Sequence, residues 1–124
     1  MINSILFYIS AFFTLIWGVA HLIPTKNVVR DFGKITEDNR NIITMEWIVE
    51  GVSLIFIGIF TLVITFVNPE ESLARILYLL IVAELVTLAL VSLFTGFKVK
   101  FLPFKLCPVI FLLSASLIAA GVFI

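Results

Sequence analysis

Four runs of apolar residues, each close to the length that crosses a bilayer, alternate with short polar connectors along this chain. A spanning helix needs about 20 predominantly apolar residues. Ser4 to Ile23 supplies the first run and stops at Pro24. Thr44 to Val67 supplies the second, closed by Asn68-Pro69, and Ser72 to Thr95 the third, closed by Gly96. Cys107 to Ile124 supplies a fourth, which is short but sufficient for an upright helix. Pro103 and Pro108 punctuate its start, and Pro108 suits a first helical turn. The pattern predicts an all-α fold: an integral membrane four-helix bundle, up-down-up-down, forming a single transmembrane domain with spans at 4–23, 44–67, 72–95 and 107–124.

The connectors differ in kind. Residues 24–43 read as a long polar loop holding seven of the sixteen charged residues. Within it, 27–35 places Val28, Val29, Phe32 and Ile35 at helical spacing beside Arg30, Asp31 and Lys34. That spacing predicts a short amphipathic helix lying in the membrane interface. The Asn68-Pro69-Glu70-Glu71 connector is so short that the second and third spans are expected to be antiparallel neighbours. Between 96 and 106, Lys98, Lys100 and Lys105 alternate with Phe97, Phe101 and Phe104, in the manner of interfacial anchors. Small residues at four-residue spacing, Ser10, Thr14 and Gly18 in the first span and Ser116 and Ala120 in the fourth, suggest close-packing faces.

Composition agrees with lipid as solvent. The chain of 124 residues is 62% hydrophobic and only 13% charged, against about 25% charged for a soluble domain. Zero net charge gives no basic excess that would suggest nucleic acid. The single Cys107 offers neither a disulfide nor zinc spacing and reads as a small buried apolar residue. The first run has no Lys or Arg before it and no small-residue cleavage site after it, so a retained span is expected rather than a cleaved leader. Lys26, Arg30, Lys34 and Arg40 in the first connector and Lys98, Lys100 and Lys105 in the third stand against Arg75 alone near the second. The positive-inside rule then puts connectors one and three in the cytoplasm and both termini outside the cytoplasmic membrane.

Four titratable side chains fall in or beside the apolar runs: His21, Glu46, Glu50 and Glu84. A carboxylate in hydrocarbon costs roughly 2.5–3.5 kcal/mol on insertion scales and marks a functional site by default. His21 ends the first span, and Glu46 and Glu50 begin the second on one helix face, at the same end of the bundle. Glu84 sits about 16 Å inside the third span and Glu50 about 9 Å inside the second, at 1.5 Å per residue. Thr14 and Trp17 extend the His21 face, Trp47 neighbours Glu46, and Thr87 and Tyr78 share the Glu84 span. The expectation is a polar pocket inside the bundle, opening toward the cytoplasm. Each carboxyl also has a plain structural role open to it: Glu46 can rest at a helix N-terminus, and a protonated Glu84 can lock helices together.

Three chemistries fit that set. Glu50 and Glu84 with His21 can move protons on a lipid substrate, as an isomerase-like enzyme would. His21, Glu46 and Glu50 are the residues that would ligate a divalent metal, although the Glu-x-x-His signature of di-iron bundles does not occur. A membrane carboxyl can also couple proton movement to a small carrier acting as a dimer. No lysine lies inside a span and no nucleophile elbow occurs, which argues against a retinal Schiff base and a serine hydrolase.

The chain resembles the DoxX-like family of small four-helix membrane proteins. The resemblance is carried by Gly18-Val19-Ala20-His21 followed by Pro24, by Val28-Val29 with Phe32, and by Glu46-Trp47-Ile48-Val49-Glu50-Gly51. It covers about the first half of the chain. It implies a membrane bundle linked to quinone chemistry, with a partner subunit for any quinone-reductase role; with the residue reading above, the expectation is an accessory protein binding a lipophilic or quinone-like molecule at His21, Glu46, Glu50 and Glu84. No flavin, haem or iron–sulfur motif accompanies it, so the sequence names no cofactor.

Overall fold

A computed structural model describes residues 2–124. The described chain is helical throughout and forms a bundle of four long helices with one short helix at its side. We label them α1 (Ile2–Leu22), α2 (Thr25–Asp31), α3 (Glu37–Val67), α4 (Ser72–Phe94) and α5 (Leu102–Phe123). A 3-10 turn, Gly96–Lys98, links α4 to α5. The four long helices are each long and apolar enough to cross a membrane, and the protein is a multi-pass membrane protein on that ground. Their outward faces are apolar, as lipid contact requires: Phe12, Phe56, Phe66, Leu80 and Phe94 are all exposed.

α1 is the central helix. It packs along α3 on one side and α5 on the other, and α4 packs on α5. Glycines set the α1–α3 spacing. A Cβ on Gly18 would lie 2.8 Å from the Gly51 carbonyl oxygen and 2.9 Å from the Ile55 amide nitrogen. A Cβ on Gly58 would lie 3.0 Å from the Ala11 carbonyl oxygen and 2.9 Å from Thr14 Oγ1. Backbones this close gain dispersion that lipid does not supply. Ser10 and Gly18 thus lie on packing faces as expected, but the α5 face is Ser114, Ala115 and Gly121. Ser116 is exposed. Ser10 Oγ donates to the Ser114 carbonyl at 2.9 Å, and Gly121 makes room for the Phe7 ring.

The short α3–α4 turn does not make those helices close neighbours along their length. They meet near the turn, where Thr65 Oγ1 and Tyr78 Oη lie 2.8 Å apart, and scarcely touch beyond it. Tyr78 is fully buried there, stacked on Phe7 with ring centroids 4.0 Å apart. From that end α3 and α4 splay, leaving a cleft at the His21 end of the bundle. The reason lies in the central pair: small-residue seams hold α3 and α5 on α1, and α4 packs on α5, which leaves α3 and α4 on opposite sides.

Three boundaries differ from the sequence expectation. α3 starts at Glu37, not Thr44, because Thr36 caps it: its side chain accepts from the Asn39 amide at 3.2 Å, and Glu37 and Asp38 sit favourably in the first turn. At about 1.5 Å per residue α3 outruns a hydrocarbon core of about 30 Å. The interfacial helix is Thr25–Asp31, ended by Gly33 at φ 74°, so Ile35 falls outside it while Val28 and Val29 are buried. α5 begins at Leu102 with Pro103 in its first turn. Pro108 is consequently inside the helix, where it has no N–H for the Phe104 carbonyl.

Candidate functional site

The last carbonyls of α1 have no intrahelical donors, and tertiary groups supply two of them. Trp47 Nε1 donates to the His21 carbonyl at 2.7 Å, and Thr25 Oγ1 donates to that of Leu22 at 2.6 Å. The same tryptophan stacks flat on the His21 ring, with centroids 3.9 Å apart and planes at 16°. Phe104 from α5 meets Trp47 edge-on at 5.4 Å. The imidazole is held by helix capping and aromatic packing at once. Trp47→Phe keeps the stack and removes the donor, leaving a buried carbonyl unpaired. It is expected to lower stability by about 1–2 kcal/mol, read from the unfolding midpoint in mixed micelles.

His21 is 7% exposed. Its Nε2 stands 3.4 Å from Glu50 Oε2, one turn along α3 from the Trp47 side chain. That distance exceeds a formed hydrogen bond, and Nε2 has no other partner among the described residues. Glu50 is partly buried and lines the cleft between α3 and α4. The cleft holds about 520 Å³. Glu46 and Ser53 share the α3 wall with Glu50, and Glu84 and Ser92 stand on the α4 wall. Phe104 and Cys107 of α5 border the same space.

The structure brings His21 and Glu50 into contact and places Glu46 and Glu84 along the same cleft, both with exposed side chains. The expected pocket inside the bundle, opening toward the cytoplasm, is therefore a side-opening cleft, because α4 leans on α5 rather than on α3. Other expected members lie elsewhere. Thr14 is buried in the α1–α3 seam, its hydroxyl donating to the Ala11 carbonyl at 2.9 Å. Tyr78 belongs to the opposite end, with Thr65 and Phe7. Thr87 is exposed and satisfies its own helix through the Ala83 carbonyl at 2.8 Å. Spacing placed these residues on the correct helices but not at the correct height or face. Among the described residues no three of His, Cys, Asp and Glu are grouped so as to hold a metal, and the set His21, Glu46 and Glu50 makes no such cluster.

A second cavity lies on the other side of His21, between α1 and the first turns of α5, and holds about 180 Å³. Trp17, His21, Trp47, Phe101, Phe104 and Cys107 line it. Trp17 Nε1 is buried beside the Cys107 sulfur, a weak acceptor, and meets no oxygen or nitrogen acceptor among the described residues. Phe101, Phe104 and Cys107 were not expected at the site. The alternation of the two phenylalanines with lysines signals interfacial anchors, whereas Phe104 turns inward onto Trp47; Cys107 is buried, as its reading as a small apolar residue expects. No protein-family model, curated protein or solved structure matches this chain.

Proposed function

We propose that this is an integral membrane protein of DoxX-like type that binds a lipophilic, quinone-like molecule in the α3–α4 cleft. One observation carries it: Glu50, on a cleft that opens sideways between two lipid-facing helices, stands 3.4 Å from the buried imidazole of His21 behind the cleft wall. A ligand dissolved in the bilayer reaches such a cleft without crossing water. Its oxygen-bearing head meets His21 and Glu50, and its apolar tail lies along exposed helix surface. Intramembrane ionisable groups earn their place in this way. The seven basic residues at the His21 end put that end in the cytoplasm and both termini outside the cytoplasmic membrane. The 3.4 Å pair could also relay a proton; binding without turnover separates a binding subunit, acting with a partner, from an acid–base enzyme.

Both tryptophans of the chain border His21, so the site carries its own reporter. In lipid nanodiscs, a fully substituted benzoquinone with a decyl tail is expected to quench tryptophan emission saturably. Glu50→Gln keeps the shape of the side chain and is expected to raise the dissociation constant at least tenfold. Quenching that rises linearly with quinone in the wild-type protein, as simple partitioning gives, would overturn the assignment.

A further inference from the structure

We infer that the α1–α5 cavity is a subsite for a single six-membered ring bearing one oxygen acceptor, held by the Trp17 indole N–H. This rests on the proposed binding function and specifies the head group that the site selects.

The donor is the first ground. A buried indole N–H normally finds a partner, and an unmade bond in an apolar surround is costly. Trp17 Nε1 is buried and has only the weakly accepting Cys107 sulfur beside it, on the wall of a cavity large enough to hold an oxygen acceptor. His21, more than nine-tenths buried, lines the same cavity with its Nε2 also unbonded.

Volume is the second ground. An engineered apolar cavity of about 150 Å³ accepts benzene. The α1–α5 cavity, at about 180 Å³, matches one ring with small substituents. Fused ring systems exceed it. The walls agree: Trp17, Trp47, His21, Phe101 and Phe104 give the cavity an aromatic lining, which suits a planar ring.

The third ground is proximity. Trp47, Phe104 and Cys107 line both this cavity and the cleft. Only these side chains stand between a ring seated against Trp17 and His21 and a tail lying in the cleft.

The test uses the full chain in nanodiscs and three probes. Acetophenone has one ring and one carbonyl. Ethylbenzene has nearly the same shape and no oxygen. 2-Acetylanthracene carries the same carbonyl on three fused rings. Dissociation constants come from tryptophan quenching and, for ethylbenzene, from competition. Acetophenone is expected to bind at least tenfold more tightly than ethylbenzene, and 2-acetylanthracene not to compete. Trp17→Phe, read through Trp47, is expected to erase the preference for the ketone while ethylbenzene binding stays. Equal competition by the fused-ring ketone in the wild-type protein overturns the subsite, and so does a ketone preference that survives Trp17→Phe. The wild-type series stands even if that variant folds poorly. If the tailed quinone still binds in a Glu50-dependent way, only the subsite falls. If neither the quinone nor the single-ring ketone binds, both assignments fall together.

Discussion

Gly18→Val will separate α1 from α3 and leave little folded protein. Even one added carbon meets the Gly51 carbonyl oxygen at 2.8 Å and the Ile55 amide nitrogen at 2.9 Å, distances that real Cβ atoms essentially never show. Neither contact is the end of a flexible side chain. Relief requires the two helices to move apart, and α1 is also the helix that α5 packs against. The movement therefore opens the Gly58–Thr14 contact and disturbs the Ser10–Ser114 bond in turn. Overpacking costs typically 1–3 kcal/mol where side chains can adjust; with backbone on both sides the upper end or more is expected. Gly33→Val provides the contrast for crowding: a Cβ there meets nothing within 4 Å, although its φ of 74° makes valine locally strained. The measurement is the unfolding midpoint in mixed micelles together with the yield of monodisperse protein. A Gly18→Val protein with wild-type stability would mean that the α1–α3 crossing is wider than described.

The architecture was legible because hydropathy and length decide it. Apolar runs of spanning length have one stable answer in lipid, the helix, and prolines or glycines fix where three of the four end. Helix starts were less legible. Residues 37–41 are polar and fail an apolar criterion, yet Thr36 and the acidic pair after it form a helix start by capping alone. The neighbour order was not legible from connector length. A four-residue turn forces α3 and α4 to be antiparallel, but glycine and serine seams on α1 and α5 decide which helices lie together along their length. At the site, His21 and Glu50 could be placed at one end of the bundle from topology and charge spacing. Glu84 shares the cleft but stays exposed, because the splay that it lines comes from tertiary packing. The aromatic cavity was hidden for a different reason: Phe104 has the sequence context of a membrane anchor, and only the stack of Trp47 on His21 turns it inward.

His21→Ala is the substitution with the largest expected effect at the site, and its comparison with His21→Phe separates structure from binding. The imidazole is more than nine-tenths buried, is stacked on Trp47, and stands beside both the 180 Å³ cavity and the carboxylate on the cleft. Alanine removes the ring, extends the small cavity toward the cleft and leaves Trp47 without its stacking face. Large-to-small changes of this kind cost about 3 kcal/mol. A lower unfolding midpoint is expected, with a red shift of tryptophan emission as lipid or water reaches the indole. Phenylalanine restores volume and stacking but carries no nitrogen for Glu50 or for a ligand oxygen. Near-native stability is expected for that variant, with quinone quenching weakened at least tenfold. Wild-type affinity in His21→Phe would reduce the histidine to a packing residue under Trp47. Recognition would then rest on Glu50 and the Trp17 indole, so a Glu50→Gln loss and a Trp17→Phe loss would have to account together for the whole affinity.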